Sequence, residues 1–100
     1  MLLAVILALL ATALASAETP LQRAKFENLG LFAGYVVACG VASETEAEAM
    51  VQKLRAGLGE PTEAEAALLR RSREDASKGP CPDALRSAVT RGWLNYRDAQ

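Results

Sequence analysis

Two cysteines, two clusters of carboxylates and one run of arginines are the residues of this chain whose types and spacing could do chemistry. Cys39 and Cys81 are its whole cysteine content. They form no C-x-x-C redox motif, and in a chain without histidine they are too few for a structural zinc site. An even count in an exported chain favours a disulfide instead. If reduced, Cys81 would stand at a helix N-terminus, where a thiol pKa is lowered, so thiol chemistry there stays open.

Glu44, Glu46 and Glu48 form one acidic cluster, and Glu63 and Glu65 a second. Paired carboxylates can act as general acid and base. Here each cluster falls in the first turns of an expected helix, while Lys53 and Arg55, then Arg70, Arg71, Arg73 and Lys78, fall toward the last turns. That arrangement complements the helix macrodipole and needs no catalytic role. Arg70-Arg71-Ser72-Arg73 resembles an anion site, but Glu74 and Asp75 follow at i+4 from Arg70 and Arg71, which reads as a solvated helix face. With no imidazole, neither a Ser-His-Asp nor a Cys-His constellation can be assembled. No P-loop, G-x-G-x-x-G or EF-hand loop is present either. The expectation is therefore a chain that is not an enzyme, with no catalytic, cofactor-binding or metal-binding residue.

The elements that hold these residues read as helices. Alanine, leucine, glutamate and arginine dominate, and β-branched residues are scattered. The first helix starts at Thr19-Pro20, an N-cap followed by proline at N1, and runs to about Cys39 with a stop at Gly40. Leu29, Phe32, Val36 and Cys39 fall on one face, and Leu29 to Ala42 carries no charge, so this helix is expected to be the central element. Within it, Gly30-x-x-x-Gly34 is expected to allow close helix packing. Val36-Val37-Ala38-Cys39-Gly40 resembles a lipoprotein cleavage box but lies too deep in the chain to serve as one.

The second helix begins with the capping box Ser43-Glu44-Thr45-Glu46, carries the stripe Ala47, Met50, Val51, Leu54, Leu58, and ends at Gly57 and Gly59. The third repeats the box at Thr62-Glu63-Ala64-Glu65. Its apolar face is weak, Ala64, Ala67 and Leu68 with the stem of Arg71, and Lys78-Gly79-Pro80 stops it. The fourth starts at Cys81-Pro82-Asp83 and carries Leu85, Ala88, Val89, Gly92 and Tyr96. On this layout a Cys39–Cys81 bridge joins the end of the first helix to the start of the fourth. Closing a loop of about 40 residues is worth on the order of 4 kcal/mol in the chain-entropy model.

The address lies ahead of these helices. An apolar run from Leu2 to Ala15 precedes Ala15-Ser16-Ala17 and the first charge, Glu18. The run is shorter than the roughly 20 residues of a membrane span and ends in a signal-peptidase pattern. Residues 1–17 are read as a signal peptide and 18–100 as a single helical domain, periplasmic or secreted. The membrane is a partner only if the leader is retained as a short anchor. The 11 Lys/Arg against 12 Asp/Glu leave no basic excess for nucleic acid.

The fold expected is all-α, a small three- to four-helix bundle stapled by one disulfide. The function expected is a small exported interaction or accessory protein that binds another protein, of the inhibitor, immunity or adaptor type. In size, export, helicity and cysteine number the chain is also similar to the small acid-activated periplasmic chaperones. That likeness implies an acid switch, which without histidine would have to come from Asp and Glu. The candidate contact is on the fourth helix. On a wheel at about 100° per residue with Leu85 as zero, Trp93 falls at the edge of the core face, Leu94 on the far side and Arg97 between them. Trp93, Leu94 and Arg97 are thus expected to form a partly exposed strip of residue types suited to a binding hot spot.

Overall fold

A computed structural model describes residues 19–100; the leader expected at 1–17 lies outside the described residues. These residues form four helices and no strand: α1 (Pro20–Ala38), α2 (Glu44–Ala56), α3 (Glu63–Lys78) and α4 (Asp83–Asp98). Each boundary has a local cause. The Thr19 hydroxyl accepts from the Gln22 amide at 3.1 Å to cap α1, and Pro20 opens it. At the other end Gly40 takes φ +67°, the Val41 amide donates to the Val36 carbonyl at 2.9 Å, and the Gly40 amide donates to Val37 at 3.0 Å. This is the Schellman closure, and it requires a residue that tolerates the left-handed region.

Both expected capping boxes form. The Ser43 amide donates to Glu46 Oε1 at 3.0 Å while the Ser43 hydroxyl accepts from the Glu46 amide at 3.1 Å. Thr62 and Glu65 repeat the exchange at 2.9 and 3.1 Å. Pro82 stands at the N-cap of α4 and offers no side-chain cap.

α1 is the central element and touches each of the other three helices, α3 most extensively. The reason is the small-residue face. A Cβ on Gly34 would come within 2.6 Å of the Ala76 Cβ, and one on Gly30 within 3.1 Å of the Ser72 Cβ, so α3 lies backbone against backbone on α1. The opposite flank of α1 carries the apolar core: Leu29, Ala33, Val36 and Cys39 pack with Ala42, Ala47, Met50 and Val51, and with Val89 and Trp93 of α4. Gly92 sits under the Phe32 ring, where a Cβ would be 2.9 Å from Cε2.

Three expected faces need correction. On α3 the buried residues are Glu65, Ser72 and Ala76, whereas Ala64 and Arg71 are exposed. Contact with Gly30 and Gly34 selects the small Ser72 and Ala76 rather than the most apolar side chains, and Glu65 is held by its capping box with Thr62. On α4, Trp93 is 6% exposed and Ala88 is exposed, so the core face turns toward the larger side chain. On α2, Leu54 is 39% exposed, although the next member of the stripe, Leu58, packs against the core.

Candidate functional site

The strip expected on α4 divides. Trp93 belongs to the core, packed beside Tyr96 with ring centroids 5.4 Å apart. Leu94, 47% exposed, and Arg97 stay at the surface. The Trp93 indole offers a much larger area to bury than Ala88, which is why the bundle takes it in. The Glu46 carboxyl is held below the usual range first by the hydrogen bond from the Ser43 amide, with the Arg97 charge the least of the causes.

The surface feature of most consequence is a groove between α1 and the end of α2. Lys25, Asn28, Leu29 and Phe32 line one wall and Leu54 and Leu58 the other, enclosing about 470 Å³ that opens to solvent. Lys25, Asn28, Leu29 and Phe32 recur at helical spacing, so α1 presents them as one stripe, and Leu21, 67% exposed, prolongs that stripe by a turn. The Gln22 side-chain amide donates to the Leu58 carbonyl at 2.8 Å and pins the turn after α2 against α1. Lys25 pairs with no carboxylate among the described residues. A second depression, about 350 Å³, lies between Pro20, Arg23, Ala24 and Glu27 of α1 and Leu68 of α3, and its walls mix the charged Arg23 and Glu27 with apolar side chains.

Nothing in the sequence singled out this groove. Leu54 and Leu58 read there as core; Leu58 still packs against the core from its edge, whereas Leu54 is left exposed. Arg73 was also hidden in the run of arginines. The structure separates it from Arg70 and Arg71, which are exposed and reach neither Glu74 nor Asp75 as an ion pair. The Arg73 side chain, 19% exposed, crosses from α3 to α2, where it meets Glu48 and, at 3.3 Å, Glu44. The Glu48 carboxyl is held low first by the Gln52 amide and then by Arg73. The first acidic cluster is therefore occupied in caps and in this clamp.

The disulfide joins Cys39 to Cys81 with their Cα atoms 5.3 Å apart. Arg86, in the first turn of α4, donates to the Cys39 carbonyl and adds a polar tie at the same corner. Among the described residues no group of carboxylates and cysteines is arranged to hold a metal ion, and no helix is long and apolar enough to cross a membrane. Compared with protein-family models, curated proteins and solved structures, the chain shows no significant match.

Proposed function

We propose that the chain is a small exported protein that works by binding another protein, in the manner of an inhibitor, immunity protein or adaptor. The observation that carries this reading is the open groove of Leu29, Phe32, Leu54 and Leu58, with the unpaired Lys25 ammonium in its wall. Apolar walls with a single cation suit a helical segment that inserts bulky apolar side chains and sets a carboxylate beside Lys25. The exposed Leu94 and Arg97 on α4 offer a second, smaller contact. The disulfide is compatible with a periplasmic or secreted location.

A photo-crosslinking residue at Asn28, introduced in the native envelope, tests the groove. One discrete adduct is expected. Leu54→Glu should abolish it and Lys25→Glu should weaken it, with the helical content of both variants unchanged. An adduct indifferent to both substitutions would place the partner elsewhere. The address is tested by intact mass: the exported protein should begin at Glu18, and a mass that retains Met1–Ala17 would favour a membrane-tethered subunit.

A second reading, an acid-activated chaperone, draws on one observation. The grip of α3 on α2 runs through the Arg73 clamp on Glu44 and Glu48, whose protonation would release it. Suppression of client aggregation only below about pH 4 would select this reading.

A further inference from the structure

The two sulfurs of the bridge stand in unequal surroundings. Cys39 is 1% exposed and is a full member of the central core. Cys81 lies in the segment between α3 and α4, is partly exposed, and packs against that core only from outside. The Arg86 guanidinium donates to the Cys39 carbonyl at the same corner. Thiol–disulfide exchange requires a thiolate to reach one particular sulfur, and access decides which sulfur that is.

We propose that Cys81 is an S-thiolation site, open to small-molecule thiols of the glutathione class, and that Cys39 is its leaving and resolving thiol. The incoming thiolate forms a new S–S bond to Cys81 Sγ. The Cys39–Cys81 bond breaks, its electron pair stays on Cys39 Sγ, and that sulfur takes a proton from solvent. The number of disulfides is unchanged: one internal bridge becomes one mixed disulfide and one thiol. Departure of the Cys39 sulfur is slow, because it leaves as a charged thiolate in an apolar core away from solvent.

The adduct does not free α4. Val89 and Trp93 remain in the core and Gly92 remains under Phe32. Cys39 therefore stays beside the modified Cys81, and the intramolecular return attack expels the small thiol once its concentration falls. The corner acts as a reversible acceptor with a built-in resolving partner.

The experiment incubates the intact, disulfide-bonded chain with reduced glutathione under native conditions, blocks free thiols with an alkylating reagent, and maps both cysteine peptides by mass. The glutathione adduct is expected on the Cys81 peptide and the alkyl label on the Cys39 peptide, with a bias of at least about tenfold that vanishes in denaturant. Equal adducts on both cysteines in the folded protein, an adduct on Cys39, or no adduct at all would overturn the proposal. The single-thiol variants add an independent measurement. The free thiol of Cys39→Ser should react with a disulfide reagent about tenfold faster than that of Cys81→Ser, and equal rates would count against the assignment.

Discussion

Gly34 faces Ala76 across the α1–α3 contact so closely that a Cβ on the glycine would lie 2.6 Å from the alanine Cβ. Helix propensity alone would favour alanine at position 34 by about 1 kcal/mol. Gly34→Ala is nonetheless expected to destabilise the fold by about 1–3 kcal/mol, because the contact is backbone against backbone and can relax only by moving α3 away. Gly57→Ala supplies the contrast. Its Cβ would meet the Leu54 carbonyl at an ordinary 3.5 Å, and a stabilisation of about 0.4–1 kcal/mol is expected. Urea unfolding of the two variants should show opposite signs.

The bridge ties α4 to the end of α1, and the loop it closes contains α2 and α3. Full reduction is expected to remove up to about 4 kcal/mol and to lower the melting temperature clearly. Melting curves recorded with and without a strong reductant check this. An unchanged midpoint would mean that the bridge adds no net stability to the fold.

Trp93 is the only tryptophan, and its 6% exposure makes it a reporter of α4 docking. Its emission is expected to be blue-shifted and protected from a soluble quencher. Trp93→Ala should destabilise by about 3–5 kcal/mol. Leu94→Ala and Arg97→Ala should change stability by less than about 0.5 kcal/mol, as surface substitutions do. If that pair of changes also leaves partner capture intact, α4 has no part in the interface.

The Glu48 carboxyl is held below its ordinary value of 4.5 by Gln52 and Arg73. A carboxyl depressed in the folded state contributes stability that is fully present above the unfolded value and is lost as pH falls through the folded value. Stability should therefore decline from about pH 4.5 downward. Arg73→Gln should flatten part of that decline and leave the rest, including the share of Glu46 and its Ser43 cap. Urea midpoints measured between neutral pH and acid for both proteins make the comparison. Identical slopes would show that the clamp does not contribute.

What the sequence determined by itself was local. Thr19-Pro20, Ser43-x-x-Glu46, Thr62-x-x-Glu65 and Gly40 each satisfy or terminate backbone hydrogen bonds within a few residues, so the starts of three helices and the end of α1 were legible from short strings. The cysteine pairing followed from a count of two. Which face of each helix turns inward was decided only in the tertiary structure. α3 turns Ser72 and Ala76 inward rather than its more apolar face because Gly30 and Gly34 of α1 admit only small neighbours, a condition set by residues some forty positions away, while Glu65 is buried where it closes the Thr62 capping box. Likewise Trp93 enters the core and Leu54 leaves it because burial depends on where α1, α2 and α4 cross, which no periodicity within one helix records. The groove along Lys25, Phe32 and Leu54 is the space left by those crossings, and for that reason it had no signature in the chain.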